Sequence, residues 1–536
     1  MSQETSAEQP AVPARRGGRI ARNSAVFALA TGLSRVLGLV REIVASSYFA
    51  TSGPISAFTI AFQIPNLVRS LFADAAISAA FVPVFSELLE QGKRREAVRL
   101  AATLSVVIVA ALGVITALFI VLAPVIIPLF TGPKFTAELD ELTVGLSQVL
   151  FPIVVLLGLN GLVVGILNAS EHFTLPAIAP VVWNVVIIVL LVTLRPLFDG
   201  DEQVYAYAVG VLVATAVQLA ISLPMLRRVD VRLWPSALDL RDPRLRRVLK
   251  LMLPITVGLG VINFDLVINS VVGTLVSEQA PRAIDAAFRI YMLPQGIFSV
   301  ALATVLFPAL SRLAARGDRD GLRATTANGV RQIFMLLMPA AALTLVLSEP
   351  IVRLIYEHGE FGPADTERVS EALFWFSFSL PFAGANLLLT RAFFALQRPW
   401  APTALAAGNL LVNFVVSLAL YRPLGIAGPV IGTAVASAGM TLGQAWWLRR
   451  ELGSLEGVAT VATIARMLVA AAALAALALA VWAALDEALG RSLAAQLVSV
   501  GAAIAAGSVA YAALVWWLRI AEARQMGALL AGRVRR

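Results

Sequence analysis

Apolar runs of about 18 residues or more recur along nearly the whole chain, and this recurrence limits the fold more than any other feature. A run of that length crosses the roughly 30 Å hydrocarbon layer of a bilayer as a helix, which satisfies its own backbone hydrogen bonds where no water is present. A membrane barrel would need short segments of alternating polarity, which this chain lacks. The composition agrees, with 59% hydrophobic and 14% charged residues and a mean hydropathy of +0.83, against roughly 25% charged residues in a soluble domain. Spans are predicted at 23–49, 54–89, 98–130, 142–168, 176–195, 204–226, 247–277, 283–314, 327–348, 367–396, 400–420, 427–448, 462–485 and 493–518. The expected fold class is therefore an all-α polytopic membrane protein of about fourteen transmembrane helices.

Basic residues collect in alternate loops. They include Lys93, Arg94 and Arg95; then the run from Arg227 to Lys250; then Arg312, Arg316, Arg319 and Arg323; then Arg449 and Arg450. The intervening loops are poor in basic residues, and several carry acids such as Asp140, Glu141, Asp199, Asp201, Glu202, Glu357 and Glu360. By the positive-inside rule both termini face the cytoplasm. Residues 1–20 read as a disordered basic cytoplasmic tail and 521–536 as a second basic tail. The first apolar stretch contains charges and lacks a small-residue cleavage site, so it reads as a retained helix rather than a signal peptide.

The chain also resembles itself. The segment 55–65 (ISAFTIAFQIP) aligns with 284–294 (IDAAFRIYMLP) at an offset of 229. After a four-residue gap, 81–94 aligns with 306–319, matching Pro83 with Pro308, Ser86 with Ser311 and Gly92 with Gly317. Both stretches lie in the second helix of a six-helix unit, as expected for two repeats related by an axis along the membrane normal. Two pseudo-symmetric lobes follow, over 21–230 (helices 1–6) and 231–452 (helices 7–12), with helices 13–14 over 453–520 outside the repeat and a cavity expected between the lobes. Chance likeness between Ala-rich helices is the alternative.

Charges inside the spans carry the functional information, since an ionised side chain at mid-bilayer costs roughly 2.5–3.5 kcal/mol on insertion scales. Arg35 lies near the middle of the first span, with Arg41 and Glu42 farther outward; Arg69 lies near the centre of the second, with Asp74 farther inward; Arg289 occupies the corresponding region of the second lobe. Any one arginine admits a plain reading, as a snorkelling side chain or half of a structural ion pair. Four of them near the start of both lobes, with Glu42 and Asp74 as the obvious acids, point to an anionic substrate whose phosphate oxygens suit planar guanidinium groups. Pro65 and Pro294 interrupt the helical ladder at equivalent repeat positions, as gating hinges or as static kinks. A separate polar set, Asp265, Asn409, Asn413 and Thr433, offers oxygen donors for a small cation such as sodium, or a buried hydrogen-bond network without an ion.

The absence of cysteine and the presence of only two histidines, His172 and His358, remove thiol chemistry and most histidine chemistry. With no nucleotide-binding loop, metal-ligand cluster or nucleophile constellation, an enzyme is not expected. Directional movement would draw on an ion gradient, the membrane potential or consumption of the substrate outside.

At these residues the chain resembles a known family. The segments 34–42 (SRVLGLVRE), 61–76 (AFQIPNLVRSLFADAA), 80–83 (AFVP) and 288–308 (FRIYMLPQGIFSVALATVLFP) are similar to the MurJ (MviN) family of lipid II flippases, within the multidrug/oligosaccharidyl-lipid/polysaccharide exporter superfamily. The resemblance covers helices one to twelve in order. It implies translocation of lipid II, the undecaprenyl-diphosphate-linked peptidoglycan precursor, to the outer leaflet by alternating access. It further implies that Arg35, Arg41, Arg69 and Arg289 hold the diphosphate, that Asp265, Asn409, Asn413 and Thr433 form a sodium site, and that helices 13 and 14 offer a groove for the prenyl tail. No nucleic acid is implied; the partners are lipid II and membrane lipids, with a monomer that associates with cell-wall synthesis machinery as the working expectation. Ser56, Asp74, Ser70 and Met292 depart from the family pattern, which puts closure contacts built on those charges in question. An exporter of another polyprenyl-linked glycan and a non-transporting membrane scaffold are the rival readings.

Overall fold

In a computed structural model of the chain, the described residues are 14–72, 75–170, 172, 174–231, 238–453 and 455–525, with side chains placed except at 14–28, 69–72, 75–79 and 253–263. Asp74 and the side chains of Arg69 and Ser70 therefore lie outside the described residues. Among the described residues all regular structure is helical. In chain order the helices are α1 (Ala14–Phe49), α2 (Gly53–Phe72), α3 (Ala75–Glu90), α4 (Arg94–Ile126), α5 (Ala137–Leu150), α6 (Ile153–Ala169), α7 (Thr174–Leu194), α8 (Tyr205–Arg228), α9 (Pro243–Val276), α10 (Ala280–Pro294), α11 (Val300–Ala315), α12 (Arg319–Val346), α13 (Ser348–Tyr356), α14 (Pro363–Ala395), α15 (Trp400–Leu424), α16 (Ala427–Leu452), α17 (Gly457–Leu489) and α18 (Leu493–Trp517).

These helices fall in order on the expected spans. The second, fourth and eighth spans are each built from two helices, and the short α13 was not anticipated. Ten helices among the described residues are long and apolar enough to cross a membrane. Helix α1 carries Arg35, Arg41 and Glu42, and α16 is rich in Gly, Ser and Thr, which lowers the apolar content of both. Helix α1 begins at Ala14, inside the stretch 1–20 read from the sequence as an irregular tail.

Two positions paired by the sequence alignment share a local geometry. Gly92 and Gly317, paired by the sequence alignment, both adopt left-handed backbone, with φ of 71° and 69°. At the first, the amide of Gly92 donates to Leu89 O and that of Lys93 to Leu88 O; at the second, Gly317 donates to Ala314 O and Asp318 to Leu313 O. Both are Schellman caps, in which glycine takes the left-handed position without a Cβ penalty. The second span of each repeat is also interrupted: Pro65 lies inside α2, and Pro294 ends α10 ahead of a π-helical turn, Gln295–Ser299. Proline lacks the amide that would continue the ladder, and a π turn is one way to absorb that loss.

The chain divides into two compact units. The first comprises Met1–Val44, Val68–Leu122 and Ser147–Val257; the second comprises Ala45–Leu67, Ala123–Leu146 and Gly258–Arg536. Helix α1 thus runs from the first unit into the second, just beyond Glu42. Within the first unit, α6 packs on α3 and α8, and α7 on α8. Its core includes the fully buried Phe81, Phe85 and Phe151, the last stacked on Phe119 at 3.7 Å. Within the second unit, α14 is central, packed on α10, α11, α12 and α16, while α17 and α18 form a hairpin against α12.

Close helix contacts in the second unit depend on glycine. A Cβ at Gly384 of α14 would lie 2.3 Å from Leu337 Cδ1, and one at Gly428 would lie 2.7 Å from backbone atoms of Leu420 and Tyr421 in α15. Small residues let membrane helices approach to backbone contact, where dispersion and polar contacts replace the hydrophobic effect. A side chain at Gly428 meets backbone, which cannot rotate away. Gly428→Ala should therefore cost about 1–3 kcal/mol, read as a lower melting temperature of the detergent-solubilised protein; an unchanged melting temperature would contradict the close approach.

Candidate functional site

In the first unit the outward arginine of α1 sits in a dense polar network. Arg41 is 8% exposed and Glu42 2%. Arg41 donates to Glu42 Oε1 through Nη2 at 2.7 Å and Nε at 3.2 Å, and through Nη1 to Asn184 Oδ1 at 3.2 Å. Its Cζ lies 4.9 Å from the Trp183 ring centroid, a cation–π distance. Tyr207 donates to the same Glu42 oxygen at 3.3 Å, and Trp183 Nε1 donates to Thr215 at 3.0 Å. Asn184 is oriented by its own amide, which donates to Pro180 O and Ser34 O. Helices α7 and α8 thus complete the coordination that α1 begins. Glu42 is the partner the sequence suggested. Arg35, six residues earlier and roughly 120° around the helix, is exposed instead.

In the second unit Arg289 projects from α10 with its side chain 29% exposed, and its Nε donates to Asp285 Oδ2 at 2.8 Å. The same oxygen accepts from Arg282 Nη1 at 3.2 Å. Arg282 is 1% exposed and also donates to Ser46 Oγ at 2.9 Å, while its backbone amide reaches Ser56 Oγ at 3.4 Å. Sequence reasoning missed Arg282 and Asp285, although residues 282, 285 and 289 are spaced i, i+3, i+7 and share one face of α10. Ser56 is buried against Arg282, and Met292 is exposed.

Three members of the second polar set come together. Asn413 of α15 donates to Asp265 Oδ1 at 2.6 Å and to Asn269 Oδ1 at 3.2 Å, and accepts from Ser417 Oγ at 2.9 Å. Asn269 donates to Thr433 of α16 at 2.8 Å. Asn269 and Ser417 each lie one turn beyond a residue already singled out, Asp265 and Asn413, and an i+4 rule would have found them. Asn409 lies one turn before Asn413, and its buried Oδ1 has no hydrogen-bond partner among the described residues. An apolar cavity of about 610 Å³ lies between α12, α14, α16 and α17, lined by Phe334, Met338, Phe382, Leu442, Ile464 and Leu468 among others. Helix α18 contributes nothing to that lining.

Helical order and charge placement define a multi-span membrane protein. The fold is similar to an inward-facing multidrug-resistance MATE transporter of the MOP superfamily, with a TM-score of 0.69 at 14% identity over 79% of this chain and 96% of that one. It is also similar to a lipid II flippase MurJ in its inward-closed conformation, with a TM-score of 0.76 at 22% identity over 92% of this chain and 99% of that one. The family model for lipid II flippase MurJ matches residues 45–490. Among relatives, the lipid II flippase MurJ of Burkholderia cenocepacia is 32% identical over 412 residues, 76% of this chain and 79% of that protein. The probable lipid II flippase MurJ of Rhizobium meliloti is 32% identical over 415 residues, 76% of each chain. The chain belongs to the lipid II flippase MurJ family.

Asn413 joins three neighbours, Asp265 and Asn269 on α9 and Ser417 on its own helix, so Asn413→Ala leaves each of them short of a partner. Interhelical hydrogen bonds in membranes are worth about 0.6 kcal/mol on average and up to about 1.7. The variant should unfold at a lower temperature than the parent, and more so than Thr433→Val, which removes one interhelical bond, from Asn269, and one bond within α16, to Pro429 O; equal melting curves would refute the network.

Proposed function

We propose that this protein moves lipid II, the undecaprenyl-diphosphate-linked peptidoglycan precursor, from the inner to the outer leaflet of a bacterial plasma membrane by alternating access. Membership of the flippase family supports the substrate. The observation that carries the reading is the placing of guanidinium groups on membrane-spanning helices, at Arg41 of α1 and Arg289 of α10, where an ionised side chain is costly without a function. Arg35, Arg41, Arg69 and Arg289 are the donors that receive the diphosphate during the cycle. Each guanidinium offers paired charge-assisted hydrogen bonds to phosphate oxygens. Arg41 and Arg289 are held by Glu42 and Asp285, so an anionic headgroup replaces or shares a carboxylate already in place, rather than meeting a bare charge. Pro65 and Pro294 are the flexing points.

The prenyl tail occupies the apolar cavity beside α17. Its lining is almost wholly apolar, with only a few hydroxyl side chains such as Thr441 and Thr460, which suits a hydrocarbon chain. Asp265, Asn409, Asn413 and Thr433 fit a sodium ion in donor type: one carboxylate, two amide oxygens and a hydroxyl, with the unpartnered Asn409 oxygen as the feature a network without an ion leaves unexplained. The ion's charge would bias the helices that carry these donors. The protein works as a monomer with both termini in the cytoplasm, is served by cell-wall synthesis machinery, needs no cofactor beyond that ion and catalyses no covalent step. Transport of another polyprenyl-linked glycan would use the same diphosphate donors.

In cells depleted of their own flippase, wild-type protein should restore lipid II at the outer surface, whereas Arg35→Ala or Arg289→Ala, inserted at normal levels, should not. Normal surface lipid II and growth with either variant would overturn the assignment. For the cation, the melting temperature of purified protein should rise with sodium but not with choline, and Asp265→Asn should abolish the difference; a rise that survives Asp265→Asn would remove the ion from this site.

A further inference from the structure

Helix α17 is fastened to neighbouring helices at both ends. Near its start, Arg331 of α12 donates through Nη1 to Glu456 Oε2 at 2.9 Å and to Thr460 Oγ1 at 3.3 Å, and through Nε to Glu522, which lies beyond α18. One turn of α12 away, Asn328 donates to Gln525 at 3.3 Å. At the far end, Arg353 of α13 donates to Asp486 Oδ1 at 2.5 Å, and its Cζ lies 5.9 Å from the Trp482 ring. Both guanidinium groups are largely buried, with side chains 13% and 4% exposed. Removing one partner of such a pair leaves a buried charge unpaired, a costly change. Glu456 itself sits in left-handed backbone, φ 51° and ψ 39°, just ahead of α17. A non-glycine residue holds that conformation only where its surroundings enforce it, and the bond to Arg331 is such a constraint.

Between these two fastenings α17 has two working faces. Met467, Ala470, Ala471 and Leu474 pack with Phe334, Met335 and Met338 of α12. The adjacent stripe Val461, Ile464, Leu468, Ala472 and Ala475 faces the apolar cavity, and Thr460, which accepts from Arg331, also lines it. In a bilayer no hydrophobic force separates or joins apolar helices, because lipid tails are as apolar as the side chains. An apolar void also forfeits dispersion contacts on one side, which favours collapse. Polar fastenings are therefore what can keep α17 at a fixed distance from α14 and α16.

We infer that Arg331 and Arg353 are positioning residues for the hydrocarbon chain of the substrate: they clamp the two ends of α17 and so hold open the cavity that takes the chain. The inference rests on the reading of that cavity as the tail site. Arg331 and Arg353 touch neither the headgroup donors nor the chain itself, so their loss should alter selectivity for chain length and not recognition of the diphosphate.

The test uses the full chain in lipid nanodiscs with two probes, undecaprenyl diphosphate and farnesyl diphosphate, which share a headgroup and differ in chain length. Wild-type protein should bind the long chain more tightly. Arg331→Gln and Arg353→Asp should each lower that preference roughly tenfold or more while leaving farnesyl diphosphate binding unchanged. The exchanged pair Arg353→Asp/Asp486→Arg should recover it, and Ala472→Phe, which fills the cavity, should reproduce the loss. No chain-length preference in the wild type would overturn the tail-site reading beneath the inference. A wild-type preference that persists in the arginine variants would overturn the inference alone. Equal loss of both probes, or failure of the exchanged pair to recover the preference, would reduce these residues to a general folding role and overturn it as well.

Discussion

A guanidinium placed inside a hydrocarbon layer must be given partners, and in this protein the partners come from other helices. Arg41 illustrates the constraint. Its Nε and Nη2 engage Glu42 next door on α1, its Nη1 engages Asn184 on α7, and its flat face meets Trp183, while Glu42 is held in turn by Tyr207 of α8. The position of three helices is tied to the satisfaction of one charge. Arg282 acts likewise in the second unit, binding Asp285 on its own helix and Ser46 at the end of α1. Helix α1 is therefore fixed by one arginine network on each side of the point where it leaves one compact unit for the other.

The second unit shows how a membrane fold is assembled where burial of apolar surface contributes little. Glycines admit backbone contact between α15 and α16, hydrogen bonds join Asp265, Asn269, Asn413 and Thr433 across three helices, and buried ion pairs fasten α17. Each device substitutes for the hydrophobic effect with a contact that has a definite geometry. The apolar cavity persists among these contacts, bounded by helices whose positions are set by polar groups at their ends.

Much of this could be read from the residues. The spans followed from hydropathy alone, because backbone satisfaction in lipid leaves the helix as the only open choice. The sequence alignment pairs Gly92 with Gly317, and both positions take the same left-handed cap. The pairing of Arg41 with Glu42 was legible because the two are adjacent. Asn184 was not, since it lies 143 residues away and only the fold brings it near. The same holds for Glu456 and Glu522, 125 and 191 residues from Arg331. Arg282 and Asp285 form an intermediate case: their spacing of seven and four residues ahead of Arg289 on α10 carried the signal. Of the helix pair α17–α18, α17 lines the apolar cavity and α18 does not, a difference that two similarly Ala-, Leu- and Val-rich sequences do not reveal.

Movement of a diphosphate-linked lipid across the bilayer can be followed with purified components. Liposomes carrying labelled lipid II only in the inner leaflet, with and without the protein, would be exposed to an external enzyme that cleaves the labelled headgroup. The account expects cleavage to proceed well beyond the protein-free level, and to return to it when Arg41 and Arg289 are both replaced by alanine. Cleavage that stays at the protein-free level with intact protein under every imposed ion gradient and membrane potential, or that is unaffected by the double replacement, would contradict it.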